Sequence, residues 1–498
     1  MSRRKEGDMS IHLLIDFGST YTKVMAVDLE KEIIVGRAQA PTTVTTDITV
    51  GLNKAFSELV RTCNIDEKHI TGKYASSSAA GGLKMAAIGL VPQLTVEAAR
   101  RACLGAGAKV VRGFGFEIDE TIVRDIEDAK CDIVLLCGGT DGGDKNVILQ
   151  NSNMLAKSSI DCPILVAGNR VVSEAVKSKL ANAGKRVYVT KNVMPSIDTL
   201  EVEPAQVLIR EIFITHITKA KGLQKAQDFI GSPIIPTPKA TLQAAALLAD
   251  GMPEEPGIGS LVIVEVGGAT TNIHSVGDSS PATPQTVVRG LPELRIKRTV
   301  EGDLGIRYNA QTIYDLMGYN VFVAKLRHAF PKMDVDQCNA SEQITYLSHN
   351  VDHVPRTQLG LNIDIVLAES AASMAVQRHA GTLKQEFTLG GEVMVQNGKN
   401  LLDVKNLIGT GGIFKYGLNP ERVLRSAIFS ADTPWSLKPK SPNVFIDRAY
   451  MLYGIGLLAE HFPLQALRIA KKYLTPASPD KALSGQWEIS GNRFVVQE

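Results

Sequence analysis

The chain has 498 residues, 44% of them hydrophobic, which is enough to bury several cores and predicts about two to four domains. Its 54 Lys and Arg nearly balance 52 Asp and Glu, for a net charge of +2, and no aromatic-studded basic stripe runs through it, so nothing marks a nucleic-acid or acidic-membrane binder. The six cysteines (Cys63, Cys103, Cys131, Cys137, Cys162 and Cys338) form no CxxC pair, which argues against zinc or iron–sulfur sites and fits a reduced, cytoplasmic chain.

The basic start has no apolar stretch directly behind it, and no run of about 18 apolar residues predicts a membrane span. Residues 11–16, 22–28 and 32–38 read as three short strands, and 53–65 as a helix. The segment 73–82 is strand-like, then small and loose. A buried strand follows and opens into the Gly-rich loop 138–143, GGTDGG. Residues 162–169, the helix-like stretch after them and 185–192 form a strand–helix–strand unit. The first half is therefore α/β. Residues 203–250 read as mostly helical, and 251–259, rich in Gly and Pro, mark a boundary. Beyond it lie a strand pair at 260–276, an Ala/Ser-faced helix at 362–381, a hairpin at 390–404 with Asn397-Gly398 as its turn, a strand ending in a glycine turn at 407–417, and two helices within 446–473.

An internal echo stands out. LLIDFGSTYTKVMAV superposes on VIVEVGGATTNIHSV with a constant offset of 249, so that Asp16 meets Glu265, Gly18 meets Gly267, Thr22 meets Thr271 and Val27 meets Val276. Each copy is a buried strand, an acid, a Gly turn, hydroxyls and a returning strand. Successive N–H groups in a tight turn form a concavity for phosphate oxygens, and Gly permits close approach. A carboxylate at the strand end would repel bare phosphate, but it suits a hydrated Mg²⁺ between the two. A single turn of this kind is usually only a hairpin; its repetition predicts a polyphosphate clamped from two sides. The GTGG run at 409–412 falls where a nucleoside would lie between the halves.

The order strand–Asp–Gly–Thr, strand–acid–Gly–Gly–x–Thr–Thr and Gly–x–Gly–Gly resembles the actin/Hsp70/sugar-kinase ATPase superfamily, with its two ribonuclease-H-like lobes and ATP in the cleft. The ordered set ASSSAAGGL, GGTDGG, ILVAGN, EVGGATTNIHSV, RTVEGDLGIR, QRHAGT and LIGTGGIF is similar to the glutamate mutase accessory protein L family, also called MutL, over about residues 10–475. The resemblance implies an ATP-driven, chaperone-like reactivating factor for an adenosylcobalamin-dependent mutase, glutamate (methylaspartate) mutase or a related aminomutase. It implies ATP and Mg²⁺ as cofactors and the mutase subunits as partners. The implied lobes are 9–255, a first ribonuclease-H-like lobe with α/β insertions, and 256–440, a second with the phosphate and adenosine turns. Helices in 441–498 are expected to pack on both.

Carried over by resemblance, Asp16 would hold the Mg²⁺ waters and help position the attacking water, with Glu265 as the second acid at the metal. Gly18, Ser19, Thr20 and Thr22 would face the phosphates from one side, and Gly267, Gly268, Thr270 and Thr271 from the other. Gly409, Thr410, Gly411 and Gly412 would pass adenosine and its α-phosphate, and Glu301 would line the cleft. Two positions depart from the family pattern: Glu265 and Asn272 stand where Asp is usual. Glu reaches about one C–C bond farther, and Asn carries no charge. Slow hydrolysis is expected, and two other readings stay open: a small-molecule kinase or hydantoinase A-like hydrolase, and a nucleotide-sensing scaffold. Of the remaining groups, Asp141 is either a cleft residue or part of a turn, Asp144 a solvated loop residue, His274 a packed, hydrogen-bonded histidine and His379 a cap on carbonyls. Met25, Met85 and Met374 read as core filler.

Overall fold

The computed structural model describes residues 10–477, apart from 19–20, 44–46, 79–82, 198, 214–223, 332–339, 389–390 and 418. The chain opens with an antiparallel meander, β1 (Ile11–Phe17), β2 (Tyr21–Asp28) and β3 (Ile33–Pro41). Helix α1 (Ile48–Cys63) follows; the Asp47 carboxylate accepts from Thr49 N at its start, and Asn64 ends it at a left-handed φ of 50°. Next, β4 (Ile70–Ser77) pairs parallel with β1.

An insertion then intervenes: β5 (Lys84–Ile88), α2 (Glu97–Gly105), β6 (Lys109–Phe114), α3 (Glu120–Asp128), β7 (Ile133–Leu136), α4 (Asn146–Lys157), β8 (Ile164–Val166), α5 (Ser173–Asn182), β9 (Val187–Val189) and α6 (Glu203–Ile212). Its five strands are all parallel in the order β6-β5-β7-β8-β9, a doubly wound sheet with its own core. Past α7 (Gln224–Ile230), β10 (Ile234–Pro236) returns to the first sheet beside β4.

Helix α8 (Thr237–Asp250) and a tiny hairpin, β11 (Gly251–Met252) with β12 (Glu255–Pro256), lead to the second sheet. It uses β13 (Leu261–Val266) and β14 (Thr271–Val276), and then, past the short β15 (Val287–Arg289), β16 (Ile296–Glu301). Four helices follow: α9 (Ala310–Met317), α10 (Tyr319–Ala329), α11 (Ala340–His349) and α12 (Gln358–His379). A hairpin of β17 (Thr382–Thr388) and β18 (Gly391–Asn397) joins β15 in a small sheet. The chain re-enters the second sheet at β19 (Asn406–Thr410), passes α13 (Gly412–Tyr416) and α14 (Pro420–Arg425), and adds β20 (Asn443–Ile446). Helices α15 (Leu452–Ala459) and α16 (Pro463–Tyr473) and the edge strand β21 (Thr475–Pro476) complete it.

The two main sheets have one topology. The first runs β3-β2-β1-β4-β10 and the second β16-β14-β13-β19-β20, with β21 added at the edge. In each, three antiparallel strands are followed by two parallel ones. This is the ribonuclease-H-like order, present twice. One apolar core joins the two: Leu14, Met25 and Val27 from the first sheet and Leu261, Ile263 and Ile408 from the second pack on α8 and α15. These helices cross closely at Gly456, where a Cβ would run into the carbonyl of Ala240. Burial of each such aliphatic side chain contributes roughly 1.5–3 kcal/mol, so this shared core joins the two halves.

Three local expectations change. The hairpin turn is not at Asn397-Gly398: β18 pairs backward with β17, and Asn397 lies opposite Thr382 at the far end, so the connection falls at 389–390, outside the described residues. The cross-chain pairing of an apolar strand outweighed a local turn signal. His379 caps no carbonyl with its ring, which lies buried between the hydroxyls of Thr299 and Ser275 at 2.9 and 2.8 Å. Among the described residues one helix, α12, is long and apolar enough to cross a membrane, and it is a core helix packed on β13, β14 and α10.

Candidate functional site

The two acid turns close with the same backbone bond. Gly18 N donates to Tyr21 O at 3.1 Å, and Gly267 N donates to Thr270 O at 3.0 Å, the same offset of 249 read from the sequence. A Cβ at Gly18 would sit 2.7 Å from the Tyr21 carbonyl, so the turn needs glycine. In the second turn the carbonyls of Gly267 and Gly268 are taken by the backbone of Ile306, Arg307 and Tyr308, and that of Ala269 by the Asn309 amide. A trans peptide points its N–H opposite its C=O, so the N–H groups of Gly268, Ala269 and Thr270 face away from that segment, as an anion cradle requires.

Asp16 is 2% exposed at the end of β1. Register places Lys23 and Ser76 beside it on neighbouring strands. Its Oδ2 receives Lys23 Nζ at 2.8 Å, and its Oδ1 accepts from Ser76 Oγ at 3.1 Å and from Thr237 Oγ1 at 2.6 Å. Lys23 Nζ also donates to Tyr450 OH at 3.2 Å. Burial works against the Lys23 charge, but Asp16 beside it holds the ammonium well above the ordinary lysine range.

Glu265, on β13, accepts from Asn272 Nδ2 at 3.2 Å and lies 3.5 Å from His274 Nε2, an electrostatic contact too long for a good hydrogen bond. Burial raises its carboxyl, yet His274, Arg298 and Lys23 together hold it below the usual range. Lys23 thus acts on both acids, and Tyr450 feels Lys23, Glu265 and Asp16 alike. Both acids therefore lie within electrostatic range of one lysine. His274 is packed as expected but lacks a hydrogen-bond partner on either nitrogen, and burial lowers its basicity.

The GTGG run lies beside the second tip because β19 pairs parallel with β13, Thr410 opposite Glu265. Gly411 takes φ +111°, and a Cβ there would meet Val266 O at 2.7 Å; Gly409 packs under the Phe414 ring, and Gly412 is open. Thr410 Oγ1 donates to Asp447 at 2.9 Å, and the Asp447 carboxylate also takes the backbone N–H groups of Met451 and Leu452 at the start of α15. Three cations converge here. Arg37 holds Ala449 O at 2.6 Å, and Lys415, on α13, is pushed down to about 7 by burial and by the charges of Arg37 and Lys23.

The remaining expected residues divide. Ser19 and Thr20 lie outside the described residues, and Thr270 is half-exposed. Thr22 and Thr271 are fully buried, with hydroxyls bonded to Thr42 Oγ1 (3.0 Å) and Leu304 O (2.6 Å), which removes both from the expected phosphate contact. Glu301 is opposite Thr271 in β16, on the other face of the sheet from Asn272 and Glu265 because side chains alternate along a strand. Arg378 at the end of α12 holds it there at 2.9 Å, so it does not line the Glu265 side. Asp141 accepts from Arg170 N and Asn192 Nδ2, both at 3.0 Å, inside the insertion, and Asp144 accepts from Val147 N at the start of α4. The GGTDGG loop is thus tied to the neighbouring loops at 169–170 and 192–195 within the insertion. Reading residue types alone missed Lys23, Ser76, Thr237, Arg298, Lys415 and Asp447. Lys23 alone had a local signal, since the hairpin register implied by the Gly18 turn sets it opposite Asp16.

Two acids at equivalent strand ends can share a hydrated divalent cation that keeps most of its waters, and Lys23 already seats a positive charge at one of them. Among the described residues no three His, Cys, Asp or Glu side chains cluster, so a cation here would depend on water and phosphate for its other ligands.

Two ribonuclease-H-like sheets of one topology, joined by crossing helices and each tipped with an acid turn, make up a mixed α/β fold. The chain belongs to the MutL protein family: the family model matches residues 12–474, and Protein MutL of Clostridium tetanomorphum is 45% identical over 466 residues, 94% of this chain and 99% of that protein. Among solved structures, nucleotide-free acetone carboxylase aligns with 91% of this chain and 70% of its own at 11% identity, with a TM-score of 0.36. Gluconate kinase from Lactobacillus acidophilus aligns with 94% and 93% at 11% identity, with a TM-score of 0.33. Both likenesses are too distant to bear on activity.

Proposed function

We propose that the chain binds Mg²⁺–ATP between its two acid turns and hydrolyses it slowly, in the cytoplasm, as a chaperone-like reactivating factor for an adenosylcobalamin-dependent mutase. The mutase is glutamate (methylaspartate) mutase or a related aminomutase, and its subunits are the partners. The observation that carries the nucleotide reading is the pair of equivalent strand ends bearing Asp16 and Glu265, with Lys23 within electrostatic reach of both. The partner follows from family membership.

When bound, Mg²⁺ would offset phosphate charge beside Asp16 and Glu265. Backbone N–H groups of Gly268, Ala269 and Thr270 would hold phosphate oxygens, with Gly267 allowing the approach. Lys23, Arg37 and Lys415 supply positive charge. Asp16 accepts hydrogen bonds from Ser76 and Thr237, which orient its carboxylate toward the attacking water. On the adenosine side Gly412 leaves open space, beside the close-packed Gly409 and Gly411. ATP closes the two sheets around the α8–α15 crossing and ADP relaxes them.

One observation favours the nucleotide-sensing scaffold as a second reading: both acids are already engaged, Asp16 by Lys23, Ser76 and Thr237 and Glu265 by Asn272. Phosphate release measured with and without purified mutase separates the two. Stimulation by the mutase supports the chaperone, nucleotide binding without turnover supports the scaffold, and stimulation by a small hydroxylated or amide substrate supports a kinase or hydantoinase A-like hydrolase instead.

A further inference from the structure

Asn272 and Arg298 are bonded to the acid tip on one side and lead out of it on the other. The Asn272 amide uses both ends: Nδ2 donates to Glu265 Oε2 at 3.2 Å, while Oδ1 accepts from Arg298 at 3.1 Å. The guanidinium of Arg298, 5% exposed on β16, then reaches across to the insertion and donates to Leu104 O at 3.1 Å and Ala108 O at 3.0 Å. These carbonyls lie at and just beyond the C-terminal end of α2, where the helix dipole favours a cation, and Leu104 O, which also accepts from Gly107 N, has a second lone pair for it.

The insertion leaves the chain between β4 and β10, so it is covalently part of the first sheet's half, yet these bonds run to the second. They are not isolated. Arg101 of α2 pairs with Glu293 at 2.8 Å and donates to Pro292 O at 2.7 Å, and the Lys109 ammonium lies against Gly302. We propose that Asn272 and Arg298 are positioning residues that tie the Glu265 carboxylate to the seated insertion, so that the acid tip of the second half is aligned only while the insertion is docked.

The chemistry of the contacts explains why an amide suits position 272. A carboxylate at 272 could not donate to Glu265, and it would set two like charges at hydrogen-bond distance. An amide there accepts from arginine and donates to the acid in one group. Arg298 is pushed down to about 10 by burial, and Glu265 is the carboxylate that counters this. Neutralising Glu265 therefore leaves a buried guanidinium without its counter-charge, and its hold on α2 should loosen.

This coupling rests on the proposed nucleotide site for its consequence, but it can be detected without nucleotide. In the nucleotide-free full chain, Glu265→Gln should speed amide hydrogen exchange at residues 103–108 about fivefold or more; unchanged exchange overturns the coupling, whatever the protein does with ATP. Asn272→Leu, which cuts the relay at its middle while leaving both charges, should do the same. With Mg²⁺–ATP, Arg298→Met should lower kcat for phosphate release about tenfold with KM changed less than about threefold, and Arg298→Lys should recover only part of it, since the fork is lost. A rise in KM with kcat unchanged would overturn the positioning role. If the unaltered protein released no phosphate, the hydrolysis reading would fall, and the exchange measurements would still decide the coupling.

Discussion

The two acid tips share a turn and differ in what holds them. Asp16 is gripped by a charged lysine and two hydroxyls, whereas Glu265 is held by an amide, with an arginine behind it that leads away into the insertion. The first arrangement fixes a carboxylate in place; the second makes one answer to a distant element. A duplicated fold need not divide the work evenly, and here the first half carries the better-oriented acid and the second half the better-connected one.

The sharpest test of that division is a matched pair of substitutions. Asp16→Asn should reduce phosphate release on the order of a hundredfold or more and, by leaving the buried Lys23 ammonium without its counter-charge, lower the melting temperature as well, whereas Glu265→Gln should cost about tenfold in phosphate release. Equal losses would break the contrast. Next in size, Lys23→Met strips the buried Asp16 carboxylate of its counter-charge and should destabilise the metal-free protein by about 3 kcal/mol. Urea unfolding with and without Mg²⁺ checks this: if Lys23 occupies the place of a cation, Mg²⁺ restores part of the loss.

The lysines of the two halves offer a smaller effect. Lys23 is kept charged by Asp16, but Lys415, lowered to about 7 by burial and by Arg37 and Lys23, with Asp447 opposing, is charged below that pH and neutral above it. Phosphate attracts the charged form, so nucleotide affinity should fall several-fold, up to about tenfold, as pH rises from about 6 to 8. Lys415→Gln should flatten that slope in a titration series; an unchanged slope would remove Lys415 from the site. Smallest of all, Asp141→Asn inside the insertion's GGTDGG loop should cost about 1 kcal/mol of stability and change phosphate release less than about twofold.

Much of the site could be read in advance because the repeat is local. Strand, acid, glycine and returning strand lie within fifteen residues in each copy, and the Gly18 and Gly267 bonds repeat with the offset of the motifs. Failures came where facing mattered. Thr22 and Thr271 looked like phosphate donors, but strand pairing turned both hydroxyls inward, and Glu301 sits one residue out of phase with the Glu265 face. The Asn397-Gly398 turn signal was genuine chemistry in the wrong contest, outweighed by the pairing of β17 with β18.

Amino-acid order alone settled that two α/β halves would each present an acid-tipped glycine turn, because strand period, turn stereochemistry and charge act over a few neighbouring residues. Only the packed molecule decided which groups stand behind each acid. Thr237 bonds Asp16 from 221 positions away, and Arg298 meets carbonyls 194 and 190 positions away, because the shared core under α8 and α15 and the docked insertion bring remote segments within bonding distance. Hydrophobic burial carries no label for such pairs in the sequence; it creates them when the chain closes on itself.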